Sequence, residues 1–214
     1  MHTRIKICGI TRPQDLDDAV ALGVDALGFV QYPKSPRHLA MDRLRELTQR
    51  LPAFVTPVLL YVNASAAEIE AGLAAVPNAT LQFHGEESPA ECQRWGRPYI
   101  KAARIPDTAQ EAFDLLEYVH RYSSAMAVLL DAKIDSYGGG GHRFNWAAFD
   151  WSQPQLNANT RLVLSGGLTP ANVIDGIARV KPWAVDVSSG VEHAKGIKDT
   201  AKMRDFVRAV RQAH

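Results

Sequence analysis

The chain has 214 residues, 46% of them hydrophobic and 22% charged, which is the balance of a folded globular protein and excludes a disordered one. Lys and Arg number 24 against 23 Asp and Glu, so a net charge of +1 gives no global pull toward nucleic acid or an anionic membrane. Cys8 and Cys92 are too few for a disulfide framework or a zinc cluster, the first ten residues hold no apolar signal segment, and no apolar run approaches the roughly 20 residues of a membrane span; the expectation is a cytoplasmic protein with reduced thiols.

Strand-like and helix-like stretches alternate from one end to the other. Ile5 to Cys8 reads as a first strand, followed by a helix over Pro13 to Leu22 with Thr11 as N-cap and Gly23 as its stop. Ala26 to Val30 is a second strand and Met41 to Leu51 a second helix; Val58 to Val62 is a third strand, with a helix over Ser65 to Ala75 closed by Pro77. Thr80 to Phe83 and the helix Ser88 to Trp95 follow, then Tyr99 to Ala102 and a long helix over Thr108 to Tyr122. Ala127 to Asp131 is a sixth strand, succeeded by a glycine loop at Gly138 to Gly141 and a short segment near Trp146. Leu162 to Leu164 with the helix Pro170 to Val180, and Ala184 to Val187 with the helix Asp199 to Gln212, complete the series.

The strands are continuous apolar runs, as expected of parallel strands buried on both faces. Eight βα units of roughly 27 residues suit an α/β fold closed into a single (βα)8 barrel over residues 1–214. A doubly wound open sheet also alternates strand and helix, but it normally carries a Gly-rich fingerprint after its first strand, and here Gly9-Ile10-Thr11-Arg12-Pro13 follows.

In such a barrel the active site lies at the C-terminal ends of the strands. Those ends carry Cys8, Gln82 and His84, Asp131, Ser165-Gly166-Gly167, and Asp186-Val187-Ser188-Ser189-Gly190, while the second loop carries Ser35-Pro36-Arg37-His38. Gly166, Gly167, Ser188, Ser189 and Gly190 fall in the two loops that commonly hold phosphate, where closely approaching N–H groups suit an anion. Cys8 is a base or nucleophile if its thiol ionises, and otherwise a small core residue; Cys92, inside a helix-like stretch, reads as a packing or surface residue. Asp131 closes an apolar strand, where an acid must be hydrogen-bonded or protonated, and either serves chemistry or anchors the loop behind it. Strands one and six are not neighbours in an eight-membered ring, so Cys8 and Asp131 face each other across the mouth, an arrangement that fits a proton taken on one side and delivered on the other. Arg37 suits a carboxylate or phosphate. His84 reads as a ligand or, more simply, as a hydrogen-bonding wall residue, and the histidines lack metal-ligand spacing.

Several segments taken together resemble the phosphoribosylanthranilate isomerases of tryptophan biosynthesis. These are Lys6-Ile7-Cys8-Gly9-Ile10-Thr11; Gly28-Phe29-Val30 with Ser35-Pro36-Arg37; Leu81-Gln82-Phe83-His84-Gly85-Glu86; Leu129-Leu130-Asp131; Gly138-Gly139 through Phe144 and Trp146; Ser165-Gly166-Gly167-Leu168 with Asn172-Val173; and Asp186 to Glu192 with Gly196 and Lys198-Asp199. The resemblance implies an Amadori rearrangement of N-(5-phosphoribosyl)anthranilate to the aminoketose, without metal or organic cofactor. By position it makes Asp131 the general acid on the furanose ring oxygen and Cys8 the general base at C2. Arg37 becomes the partner of the anthranilate carboxylate and the loop-seven and loop-eight residues the phosphate cradle, with Gln82, His84 and Asp186 lining the site. The departures are Gly140, third in the run Gly138 to Gly141, where Thr or Ser is common, Asn145 in place of an Asp before Trp146, and Gln31 for an aromatic or aliphatic residue. The partner is then one small phosphosugar–anthranilate molecule, with neither nucleic acid nor membrane, and the enzyme is a monomer or homodimer with a bell-shaped kcat/KM profile. Two competitors share the fold. The histidine-pathway Amadori isomerase uses paired aspartates, whereas strand one here ends in Cys8. A non-catalytic barrel binding a phosphorylated ligand has no need of Cys8 and Asp131 together.

Overall fold

The computed structural model describes residues 2–106, 113–132, 143–153, 156 and 161–213. Eight parallel strands form a closed ring in chain order: β1 (Arg4–Cys8), β2 (Ala26–Val30), β3 (Thr56–Tyr61), β4 (Thr80–Phe83), β5 (Tyr99–Ile105), β6 (Ala127–Ala132), β7 (Leu162–Leu164) and β8 (Ala184–Val187). Pairing of β8 with β1, Lys6 opposite Asp186, closes it. The helices described around the ring are α1 (Pro13–Ala21), α2 (Met41–Thr48), α3 (Ala66–Ala75), α4 (Pro89–Gln93), α5 (Leu115–Arg121), α6 (Val173–Val180) and α7 (Thr200–Gln212). Among the described residues no helix is long and apolar enough to cross a membrane.

Strand alternation sorts the side chains into two sets. Ile5, Ile7, Val128, Leu130, Leu162, Leu164, Val185 and Val187 point out and join the large core beneath the helices. Each such side chain contributes about 1.5–3 kcal/mol by leaving water. Their neighbours point into the barrel. Ala102, Ala127, Leu129, Val163 and Ala184 fill its amino-terminal part, and Cys8, Val30, Leu60 and Val62 cluster toward the carboxyl end.

The element boundaries depart from sequence expectation where side chains find other partners. Thr11 does not cap α1; its hydroxyl donates to the Gly196 carbonyl, Arg12 occupies the cap position, and Pro13 starts the helix. The helix expected from Pro170 begins at Val173, because the Asn172 side chain turns back to accept from the Thr169 N–H at 2.8 Å and to donate to the Gly167 carbonyl at 3.0 Å. Strand β5 runs on to Ile105, paired with Ala132. Asp114 caps α5; the first part of the helix expected over Thr108 to Tyr122, and the whole glycine loop Gly138 to Gly141, lie outside the described residues. A small hairpin of β9 (Glu192–Ala194) and β10 (Ile197–Lys198), not anticipated from sequence, stands between β8 and α7.

Candidate active site

A cavity at the carboxyl ends of the strands is lined by Cys8, Arg37, Gln82, His84, Asp131, Asp186 and Ser188, together with Val30, Tyr32, Ser35, Leu60 and Ser165. The structure thus brings together the predicted acid and base and every predicted substrate-binding side chain. Of the five residues expected to hold phosphate, Ser188 reaches the cavity wall, whereas Gly166, Gly167, Ser189 and Gly190 stand in the loops behind it. Those loops pack tightly on each other: a Cβ on Gly190 would lie 1.8 Å from the Leu168 carbonyl oxygen, so only glycine lets loop eight close on loop seven. Gly166 and Gly167 have φ of 77° and 61°, left-handed backbone that glycine adopts without a steric cost.

Cys8 ends β1 with its side chain inside the ring. Gly28, opposite it on β2, leaves the room the sulfur needs, since a Cβ there would lie 2.6 Å from Sγ. Burial pushes the Cys8 thiol above its ordinary range; the ammonium groups of Lys6 and Lys198 pull it down, and the Asp186 carboxylate adds to the rise. Lys6 lies two residues earlier on the same inward face, and its Nζ donates to Asp186 Oδ1 at 2.8 Å. Both partners are buried. Burial opposes the Lys6 charge, but Asp186 and Cys8 outweigh it and hold the ammonium above its usual range.

Across the mouth, Asp131 near the end of β6 accepts the Ala132 N–H on Oδ1 and meets His84 Nε2 on Oδ2, each at 3.0 Å. His84 Nδ1 in turn lies 3.1 Å from the Gln82 amide nitrogen. Arg37, in loop two, is buried, its Nε and one Nη each donating at 2.7 Å to the two oxygens of Glu192, a bidentate fork. Among the described residues no group of three or more His, Cys, Asp or Glu is placed to hold a metal ion.

A sequence model of N-(5'-phosphoribosyl)anthranilate (PRA) isomerase matches residues 5–209. The chain belongs to the N-(5'-phosphoribosyl)anthranilate isomerase family. It is 56% identical to the N-(5'-phosphoribosyl)anthranilate isomerase of Leptothrix cholodnii over 99% of this chain and 92% of that one. The corresponding enzyme of Methylibium petroleiphilum is 55% identical over 100% and 96%. Among solved structures, phosphoribosyl anthranilate isomerase from Thermotoga maritima superposes with a TM-score of 0.86 at 37% identity, covering 98% of this chain and 99% of that one. A phosphoribosyl anthranilate isomerase in complex with reduced 1-(o-carboxyphenylamino)-1-deoxyribulose 5-phosphate superposes with a TM-score of 0.81 at 35% identity, covering 98% and 99%.

Three charged residues of this isomerase to which the sequence alone assigns no role, Lys6, Glu192 and Lys198, build the corner beside Cys8. Lys198, on β10, is buried and donates from Nζ to the Cys8 carbonyl at 2.6 Å, to the Ser188 carbonyl at 3.2 Å and to Glu192 Oε1 at 2.9 Å. Burial works against the Glu192 charge, but the hydrogen bonds of Arg37 and the charge and hydrogen bond of Lys198 outweigh it and hold its carboxyl below the usual range. Burial pushes the Lys198 ammonium down, and Glu192 recovers only part of that. Arg37, Glu192 and Lys198 thus tie loops one, two and eight into one network, while Lys6 pairs separately with Asp186. Lys6, Glu192 and Lys198 all fall inside the segments that carry the family resemblance, but nothing in their spacing reveals the pairing.

Proposed function

We propose that the isomerisation of the aminoaldose N-(5-phosphoribosyl)anthranilate to its aminoketose runs in this cavity with Asp131 as general acid and Cys8 as general base. The observation that carries the assignment is that the two groups line one cavity from opposite arcs of the ring, β1 and β6, with polar walls between them. Asp131 gives its proton to the furanose ring oxygen as the C1–O bond breaks; that bond's electron pair goes to the oxygen, and the anthranilate nitrogen lone pair forms a Schiff base at C1. The Cys8 thiolate then removes the proton from C2, and those electrons flow into C1–C2 to give the enolamine, which tautomerises to the ketone. Lys6 and Lys198 supply the positive potential that ionisation of a buried thiol needs. Arg37, aimed by Glu192, takes the anthranilate carboxylate, while Gly166, Gly167, Ser188, Ser189 and Gly190 hold the phosphate and Gln82, His84 and Asp186 form the wall.

The rest of the assignment follows the chemistry of the substrate. It is one small anionic molecule, carrying a phosphate and a carboxylate, made and used in the cytoplasm, and a protein of net charge +1 needs neither nucleic acid nor membrane to meet it, as a monomer or a homodimer of barrels. The test generates the labile substrate in situ and follows loss of anthranilate-type fluorescence. Asp131→Asn and Cys8→Ser are each expected to lower kcat by roughly 10²–10⁴-fold with KM little changed. Near-normal turnover in Cys8→Ser removes the thiol from the base role, and near-normal turnover in Asp131→Asn removes the carboxyl from the acid role.

A further inference from the structure

Gln82 is fully buried, and its side chain points along β4 to His84. Its amide nitrogen lies 3.1 Å from His84 Nδ1. A ring nitrogen that accepts from an amide N–H has no proton of its own, so the single proton of a neutral imidazole sits on the other nitrogen, Nε2. That nitrogen lies 3.0 Å from Asp131 Oδ2, to which it donates. The chain therefore has one direction, Gln82 to His84 to Asp131. Oδ1 of Asp131 is occupied as well, by the Ala132 N–H at 3.0 Å.

Turning the Gln82 amide over reverses every link. The carbonyl then needs a proton on Nδ1, Nε2 becomes an acceptor, and the Asp131 hydroxyl donates to that nitrogen instead of facing the cavity. The reversal also exchanges orphans. As the chain stands, the Gln82 carbonyl oxygen is a buried acceptor with no partner among the described residues. Reversed, a buried NH2 is stranded, and an unsatisfied buried donor is the rarer of the two. The exchange of orphans favours the donating direction.

We propose that Gln82 is a tautomer lock for the catalytic acid: by fixing His84 as a donor to Oδ2, it keeps the proton of Asp131 from passing to the imidazole and leaves it directed into the cavity. The inference rests on the reading of Asp131 as general acid. Its proton balance is simple. During ring opening the Asp131 O–H bond breaks and an O–H bond forms on the sugar oxygen, while His84 keeps its proton throughout. The Nε2–H is then already in place against the carboxylate that the transfer leaves behind, a charge-assisted hydrogen bond that favours the product of the step. A histidine carrying its proton on Nδ1 does the reverse, drawing the acid's hydroxyl toward itself and away from the substrate. Gln82 and His84 are on this account positioning residues, acting through Asp131.

The deciding measurement is the ring ¹⁵N spectrum of histidine-labelled full-length protein, with the His84 signals assigned by their loss in His84→Gln. The wild-type protein is expected to show His84 as the Nε2–H tautomer. A wild-type His84 protonated on Nδ1 overturns the lock. Gln82→Glu puts an acceptor against Nδ1 and is expected to move the proton there, lowering kcat by roughly 10²-fold while KM stays within about twofold. Gln82→Met keeps the volume and removes the donor; the tautomer preference is lost and kcat falls by a smaller factor. If Gln82→Glu does not fold, the wild-type spectrum and Gln82→Met decide. Should both Gln82 variants retain kcat within about threefold while Asp131→Asn is inactive, the acid stands and the lock falls. Turnover in Asp131→Asn instead overturns the acid assignment itself, whatever tautomer His84 holds.

Discussion

At the carboxyl end of the barrel the strands deliver Cys8, Gln82, His84, Asp131 and Asp186 into one cavity, whereas at the amino end the same ring opens on a hollow walled by Phe54, Met126, Ile100, Val163, Trp183 and Ala184. The guanidinium groups of Arg4 and Arg161 lie over the Trp183 ring, 4.4 and 5.2 Å from its centroid, and just above it the inward side chains are small and apolar. The Lys6–Asp186 pair, at matched positions of β1 and β8, lies between the two environments. The two ends obey different rules. A buried charge is tolerable only if partnered, so the carboxyl end has to be a set of networks, and the removal of one member strands another. A buried methyl group asks only for volume, so the amino end responds through packing. Substitutions at one end should move rate and pH dependence; at the other they should move stability alone.

The sharpest test of the network rule is Glu192. Glu192→Gln removes the negative member of the Arg37–Glu192–Lys198 cluster and leaves two buried cations facing a neutral amide. The expected loss is about 3–5 kcal/mol of unfolding free energy, read from denaturant midpoints, together with a raised KM as Arg37 loses its fork. The wild-type protein should show the same dependence against pH. The folded carboxyl is held below the ordinary glutamate value of 4.5, so the stability it gives is complete above that value and is lost as pH falls through the lower folded one. The Glu192→Gln variant should lack that part of the acid limb. A variant as stable as wild type, with the same limb, would place the cluster in effective contact with water.

Leu129→Ala probes the opposite end. Leu129 is fully buried inside the barrel in a cluster with Ala102, Ala127, Val163 and Ala184, against which Ile100 and Trp183 pack. A loss of about 2–5 kcal/mol is expected, with kcat and KM unchanged at temperatures where the protein stays folded. A fall in kcat comparable with the fall in stability would break the separation between the two ends.

The same contrast explains what the sequence reveals. Apolar runs separated by amphipathic stretches are local, and they locate all eight strands of the ring, most within one or two residues at each end. Once the ring is inferred, the residue after each apolar run is a mouth residue, which is how Cys8, Asp131 and Asp186 come to be legible. The partners of those residues are not local. Lys6 meets Asp186 across 180 positions, Arg37 meets Glu192 across 155, and Lys198 meets the Cys8 carbonyl across 190. No periodicity encodes such pairings. The β9–β10 hairpin that carries two of these residues has strands of 3 and 2 residues, too short for any alternation to register. Thr11 shows the same limit at smaller scale: its hydroxyl has the chemistry of a helix cap, but Gly196 lies close enough to take its proton in a hydrogen bond.

Position at the carboxyl end does not by itself confer a part in the network, and Ser65 separates the two ideas. It follows β3 on the same side of the ring as the cavity but does not line it. Its hydroxyl caps α3 in a complete capping box, accepting the Glu68 N–H at 3.3 Å while the Glu68 carboxylate accepts the Ser65 N–H at 2.8 Å. Ser65→Ala removes one half of that reciprocal pair, and the expected loss is about 1 kcal/mol, smaller than at Glu192 or Leu129. No buried charge depends on Ser65, so kcat and KM should match wild type in the fluorescence assay. A kinetic effect would mean that the orientation of α3 is transmitted through Leu60 or Val62 to the cavity, and the division between the two ends would then need redrawing as one between strands that feed the mouth and strands that do not.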